Sequence, residues 1–503
     1  MERPYQGGSA AACVEEGGRK GETFDDAAAE NLLAKLRLKF RSGETRNLAW
    51  RAQQLRNLVR MAEEHEDDMM AALKADLGRG RMEALIEVLG VWKAASHMLK
   101  HFKKWLQPYK VGTPLLLRPG RSEVLYEPLG VVLIISPWNF PFLLSLEPLL
   151  GALAAGNVAV LKPSELSPAC SHLLSRLLPL YLDSHAVQVV EGGPETGKAL
   201  LGQRWDKIFF TGGTPLGRIV MEAASKHLTP VTLELGGKNP LFIDESADLE
   251  VSARRIVSGK CTNAGQVCLL PDYILATKEV AATLLPHLKA TMEQFYGSNP
   301  AVCPDLARII NTSHLLRLRK LLDHPATASC VVHGGQSNVE SRYFAPTLLL
   351  NVPWDAPIMQ SEIFGPILAI QTLSGIDEPI SIISARHKPL SPQCEESTRM
   401  TQASSMRAPQ ASQPPLQRQY FSSAHVLSLR FLRQVSGVDE AIEIVNARPK
   451  PLVVMVFTSR EDVRQRFLKE TSSGAVVAYE LILQVWGRGE GSGGGKGERE
   501  VWG

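Results

Sequence analysis

The sequence has little net charge, few cysteines, few aromatics and no apolar run long enough to cross a membrane. Lys+Arg at 55 against Asp+Glu at 52 leave a net charge of +3 over 503 residues, too balanced for a dedicated nucleic-acid or polyanion binder. Seven cysteines, odd in number and unevenly spaced, do not make a disulfide framework. No secretory signal opens the chain, so a reducing compartment, the cytoplasm, is expected. Glu147, Pro148 and Asn157 interrupt the most lipid-like stretch, Pro141 to Leu161. It reads as a buried helix followed by a buried strand, not as a transmembrane span. Neither a G-x-G-x-x-G fingerprint nor a P-loop occurs where a nucleotide would be sought, and no metal site is expected. What is present, 44% apolar and 21% charged residues, fits a large soluble α/β protein.

Met1 to Thr23 carries no apolar period and reads as a disordered leader. Asp25-Asp26 then precede an amphipathic run, the acid-first arrangement of a helix start. Further helices are expected over about Arg46 to Ala75 and Met82 to Leu106, with Gly78 and Gly80 breaking between them. Thr113 to Tyr126 is short and β-like. From Gly130 buried strands alternate with helices, which implies a parallel sheet covered on both faces. A second alternating block runs from about Lys238 to Leu373.

Two regions break this texture. Ser391 to Ser423 holds 17 Ser, Gln or Pro in 33 residues, and Gly487 to Gly503 holds 8 Gly in 17; both compositions suit unfolded chain. The first is flanked by a repeat. Ser374 to Leu390 matches Ser436 to Leu452 at 11 of 17 positions, offset by 436 − 374 = 62 residues. One structural slot thus has two candidate segments. Pro379 stands in the first where Ala441 stands in the second, making the first the poorer helix by up to ~3 kcal/mol.

Several segments carry candidate chemistry. Cys268 ends the run Asn263-Ala264-Gly265-Gln266-Val267, whose small residues leave a thiol approachable; taken alone, an inert buried cysteine is the commoner outcome. Glu234 lies in an apolar strand before Gly236-Gly237, where desolvation would raise its pKa towards that of a general base; a salt bridge with Lys238 is the alternative. Asn139 follows the strand Val131 to Ile135, and its amide could donate to a developing oxyanion or merely cap a turn. Lys162-Pro163-Ser164-Glu165 offers a cation and an acid beside a ribose. Thr211-Gly212-Gly213-Thr214-Pro215-Leu216-Gly217 could turn backbone N–H groups towards a pyrophosphate. Glu362 and Phe364 set an acid beside an aromatic at a turn.

In this order, Pro137-Trp138-Asn139, Lys162 to Glu165, Phe210-Thr211-Gly212, Leu233 to Lys238, Gly265 to Cys268 and Glu362 to Pro366 resemble the aldehyde dehydrogenase superfamily. The wording around Lys226 to Thr232, Arg308 to Asn311 and Ala345 to Thr347 is similar to class 3, especially its 3B members. The resemblance implies a Rossmann-type parallel-sheet dinucleotide domain, a second α/β catalytic domain and a small bridging β element. It implies NAD(P)-dependent oxidation of medium- or long-chain or aromatic aldehydes, with NAD or NADP as cofactor. Cys268 would be the nucleophile, Asn139 and the Cys268 N–H the oxyanion donors, and Glu234 the base. Lys162 and Glu165 would bind the adenosine ribose, Thr211, Gly212 and Gly217 the pyrophosphate, and Glu362 and Phe364 the nicotinamide ribose. The partners implied are a small aldehyde and a second subunit, with no nucleic acid.

Departures accompany the likeness. Val267 stands where Thr is common, and Leu269-Leu270 replace a small pair after the nucleophile. From Glu480 the family's Pro-Phe-Gly-Gly loop and terminal segment are replaced, which bears on the dimer, and no C-a-a-X box is present. A catalytically impaired dinucleotide-binding protein is therefore the alternative expectation. The domains expected are a leader (1–23), helices packing on the dinucleotide domain (24–110), a bridging element (111–129), the dinucleotide domain (130–236), a catalytic domain (237–390), an inserted loop (391–435), a return segment (436–479) and a flexible tail (480–503).

Overall fold

The computed structural model describes residues 24–373 and 437–481. The leader, the first repeat copy, the Ser/Gln/Pro-rich stretch and the Gly-rich terminus lie outside the described residues.

Four helices come first: α1 (Asp26–Arg41), α2 (Leu48–Glu64), α3 (Glu66–Leu77) and α4 (Arg81–Trp105). Asp25 caps α1 by accepting from the Ala28 N–H at 2.9 Å, as the paired acids suggest. The helix expected over Arg46 to Ala75 is two helices, because the backbone of His65 leaves the helical region between α2 and α3. Strands β1 (Tyr109–Val111) and β2 (Ser122–Val124) then form an antiparallel hairpin.

The first large sheet is built from β3 (Val131–Ile135), β4 (Val158–Lys162), β5 (Val187–Val189), β6 (Lys207–Gly212) and β7 (Val231–Leu235). Helices α5 (Leu143–Ala155), α6 (Pro168–Tyr181), α7 (Pro194–Leu201) and α8 (Thr214–Ser225) connect them. The strand order is β5-β4-β3-β6-β7, every pair parallel. This doubly wound order reverses between β3 and β6, and a crevice forms there at the carboxyl ends of the strands. The lipid-like stretch is α5 running into β4, both largely buried. Gly156 ends α5 at φ 90°, a left-handed turn suited to glycine.

The chain crosses to the second sheet through Gly236-Gly237. Its elements are β8 (Asn239–Ile243), α9 (Leu249–Cys261), β9 (Pro271–Thr277), α10 (Lys278–Tyr296), α11 (Thr312–Leu322), α12 (Pro325–Ala328), β10 (Val331–His333), a small hairpin of β11 (Ser337–Asn338) and β12 (Tyr343–Phe344), β13 (Thr347–Leu350), α13 (Pro357–Gln360) and β14 (Ile367–Leu373). After the undescribed stretch come α14 (Gly437–Asn446), β15 (Val453–Phe457), α15 (Glu461–Glu470) and β16 (Ala475–Ala478). The order is β10-β13-β14-β9-β8-β15-β16, parallel except for β10 with β13.

The second repeat copy forms α14 and leads into β15. Ala441 is fully buried within that helix, where proline would remove a backbone hydrogen bond and clash with the preceding turn. The core extends to Leu481, which is buried against Gly259 of α9. No helix among the described residues is long and apolar enough to cross a membrane.

Candidate active site

The loops that follow β3, β4, β6 and β7 leave the carboxyl edge of the first sheet. The segments carrying Cys268 and Glu362 precede β9 and β14, at the amino edge of the second. Hydrogen bonds and close packing join the two edges, so the sequence-derived candidates meet at one seam.

Cys268 is half-buried. Its thiol is pushed up to about 12 by burial, with Glu362 and then Glu234 adding like-charge repulsion, while its own backbone N–H favours the thiolate. Glu234 stands in β7 opposite Thr211 of β6. Burial alone raises its carboxyl. The alternative salt bridge with Lys238 does not form: the Lys238 ammonium donates to Ile358 O (2.8 Å) and Ser361 O (2.9 Å) and lies 3.7 Å from Asp272.

Asn139 is buried, and its Nδ2 donates to Gln266 O at 3.0 Å, two residues before the nucleophile. It does not cap α5. The first N–H groups there, on Phe142 and Leu143, donate to the Glu87 carboxylate at 2.8 and 3.1 Å. The loop before Cys268 is left-handed at Asn263 and Ala264 (φ 51° each) and at Gly265 (φ 74°), an unusual run for residues with a side chain. A side chain at Gly265 would strike the Gly365 carbonyl, so only glycine fits between the two active segments.

Burial, chiefly, and Asp272 raise the Glu362 carboxyl to about 8, against Lys260, Arg317 and Lys238. Its carboxylate packs directly on the Gly236 backbone. Phe364 meets the Trp138 ring edge-on at 5.4 Å, and Trp138 meets His314 at 5.1 Å. Four charged side chains hold this segment from behind, three of them (Asp272, Arg317 and Arg448) missed in the sequence. Asp272 accepts from the Ile363 N–H at 3.2 Å. Arg317 donates to Ile363 O at 2.7 Å and Phe364 O at 3.3 Å. Lys238 holds the carbonyls given above, and Arg448 donates to Met359 O. Arg448 belongs to the second repeat copy, whose Pro451 and Leu452 also pack on Gly237.

On the other side of the seam, the Lys162 ammonium is buried and donates to Pro163 O at 3.1 Å and to Glu165 at 3.3 Å. Gly212 ends β6, and α8 starts at Thr214 with Pro215 in its first turn. A Cβ on Gly217 would lie 2.8 Å from Leu235, so α8 packs tightly on β7. The residues fit a dinucleotide: a cation and an acid after β4 for a ribose, and the first turn of α8, which no side chain caps, for a pyrophosphate, although the Gly217 N–H itself is bonded to Gly213 O at 3.0 Å.

A doubly wound dinucleotide fold, a cysteine at its seam with a second sheet and a raised carboxyl beside it define a class, the dehydrogenases that oxidise aldehydes through a thiol with NAD or NADP. The chain belongs to the aldehyde dehydrogenase family, whose model matches residues 20–391. Within it, its relatives include several family 3 members. Aldehyde dehydrogenase family 3 member H1 of Arabidopsis thaliana is 49% identical over 372 residues, 73% of this chain and 77% of that protein. The chloroplastic family 3 member I1 of the same plant is 45% identical over 464 residues, 92% of this chain and 73% of its own length. The substrate-bound structure of Staphylococcus aureus AldH superposes with a TM-score of 0.74 at 35% identity, covering 91% of this chain and 86% of that one. The alternative of an impaired binding protein finds no support in these relatives.

Proposed function

We propose that the protein oxidises medium- or long-chain or aromatic aldehydes to carboxylic acids, with Cys268, Glu234 and Asn139 as its catalytic residues. The observation that carries this reading is that Cys268 and the raised, unbridged carboxyl of Glu234 come together at the seam of the two sheets, near enough for the Glu234 charge to push the thiol up. Cys268 reacts as its thiolate, the thiol proton having passed to solvent. The thiolate sulfur then bonds the aldehyde carbon, and the carbonyl oxygen takes the negative charge. The Asn139 amide and the Cys268 backbone N–H stabilise that oxygen. The bound dinucleotide supplies the acceptor for the hydride that leaves the same carbon, and a thioester on Cys268 remains. Glu234 then takes a proton from water, whose oxygen displaces the sulfur and releases the acid.

Lys162, Glu165, Thr211, Gly212 and Gly217 would hold the adenosine diphosphate half of the dinucleotide, and Glu362 and Phe364 its nicotinamide ribose. The two sheets support a dinucleotide domain over 130–236 and a catalytic domain over 237–373, completed by the return segment from 437 to 479. The exposed leucines 115–117 between the two strands of the β1–β2 hairpin support a homodimer formed through this arm; the cytoplasm is the compartment the cysteine usage suggests.

Purified chain mixed with nonanal or benzaldehyde and NAD or NADP will generate reduced nicotinamide. Cys268→Ala will abolish the signal. Glu234→Gln will keep a first-turnover burst but slow steady turnover about 10²- to 10⁴-fold, the usual contribution of a general base. Dinucleotide binding without turnover by well-folded wild-type chain would overturn the reading.

A further inference from the structure

We propose that Arg79 is a positioning residue that fixes the Asn139 amide against the nucleophile loop and so sets the oxyanion site. Arg79 lies between α3 and α4, 60 residues from Asn139 and 184 from Asn263, and nothing in its local sequence marks it. Its guanidinium is almost wholly buried and uses three nitrogens in three directions. Nε donates to Asn263 Oδ1 at 3.1 Å, one Nη to the Glu87 carboxylate, and the other Nη to Asn139 O. Its Cζ lies over the Phe140 ring, 4.4 Å from the centroid.

Asn263 relays this hold. Its Nδ2 donates to Asn139 O at 2.9 Å and to Gln266 O at 3.2 Å. The Asn139 Nδ2 donates to the same Gln266 oxygen at 3.0 Å. One amide donor of the oxyanion site is thereby tied to the loop whose end carries the other, the Cys268 N–H. The same cluster restrains the left-handed backbone at Asn263 and Ala264: the Glu83 carboxylate accepts the Asn263 N–H at 3.2 Å.

The placement of Arg79 is itself fixed. A Cβ on Gly78 would lie 2.6 Å from Arg308 Cγ, and one on Gly80 2.8 Å from the Asp305 backbone. The glycines that break the helices also let this arginine approach. Lysine could not replace it, since a single ammonium lacks the planar fork that reaches three acceptors at fixed angles. Buried ion pairs add little to stability compared with apolar packing, so the value of the Arg79–Glu87 pair is in orientation.

The inference rests on the assignment of Asn139 to the oxyanion, and a double-mutant cycle separates the two. Wild type, Arg79→Lys, Asn139→Ala and the double variant are compared by the rate of the first-turnover burst with benzaldehyde and NAD, with NAD affinity measured alongside. Asn139→Ala will slow the burst about 10²- to 10³-fold, as loss of an oxyanion donor does. Arg79→Lys will slow it by about 10- to 100-fold with NAD affinity within about twofold, and adding Arg79→Lys to Asn139→Ala will cost less than about threefold more. Guanidinium ion will restore part of the burst to Arg79→Ala and none to Asn139→Ala. Full multiplication of the two losses, or an NAD affinity that falls with the rate, would overturn the positioning role alone. An unchanged burst in Asn139→Ala would overturn the oxyanion assignment and the inference with it.

Discussion

At the scale of single residues, Glu362 adds to burial in holding the nucleophile protonated before cofactor arrives. Its carboxyl titrates at about 8, above the ordinary 4.5, because burial disfavours its charge. Below pH 8 it is mostly neutral and adds little repulsion; above pH 8 it ionises beside the Cys268 thiol and holds it protonated. Glu362→Gln should therefore leave Cys268 alkylation by iodoacetamide unchanged at pH 6.5. At pH 9 it should speed alkylation about three- to tenfold, up to one pKa unit of thiol. Equal acceleration at both pH values would show that charge at Glu362 is not the cause. Cys268, Glu234, Asn139 and Glu362 were legible in sequence because each sits in a short motif. Arg79, Asp272, Arg317 and Arg448 were not, because their partners are mostly backbone carbonyl and amide groups of distant segments, and charges on helices ordinarily read as solvated surface.

At the scale of elements, strand and helix alternation gave most of the first sheet to within a few residues, since buried parallel strands are continuous apolar runs. The short helix α7 (Pro194–Leu201) was missed: eight residues span too few turns for an apolar period to show. The break between α2 and α3 at His65 was also hidden, for no Gly or Pro marks it. The link between β7 and β8 illustrates what pattern cannot supply. Gly236 reads simply as a turn residue, yet its φ is not left-handed; what requires glycine is the Glu362 carboxylate lying where a Cβ would be. Gly236→Ala should push Glu362 out of its seat, costing about 1–3 kcal/mol as overpacking does and weakening dinucleotide binding about tenfold or more. Calorimetry of NAD binding checks this; wild-type affinity in a folded Gly236→Ala protein would show that the carboxylate moves aside freely.

At the scale of the whole molecule, the question is how a chain with two copies of one segment builds one sheet. The copy at family spacing, Ser374 to Leu390, lies within the matched residues 20–391, whereas the helix next to β14 and β9 is built from the copy 62 residues later. The residues bordering the undescribed stretch meet there: a Cβ on Gly437 would lie 3.6 Å from Leu373 Cδ1 and 3.2 Å from Thr277 Cγ2. Leu373 is paired with Thr277 across β14 and β9, so Leu373 and Gly437, on either side of the undescribed stretch, lie side by side at the carboxyl ends of these two strands. Flexible chain, which the Ser/Gln/Pro-rich composition leads one to expect over Ser391 to Ser423, would cost ~0.6 kcal/mol per doubling of length to close, or about 3–4 kcal/mol for 62 residues relative to a direct link. Removing residues 374–435, so that Leu373 joins Ser436 and Gly437, should leave Arg448 on Met359 O, Pro451 on Gly237 and the NAD site intact. The shortened protein should melt a few degrees higher than the full chain and keep its turnover of benzaldehyde within about threefold. Aggregation, or loss of NAD binding in a folded variant, would show that the removed residues carry part of the structure and that the second copy cannot fill the slot without them.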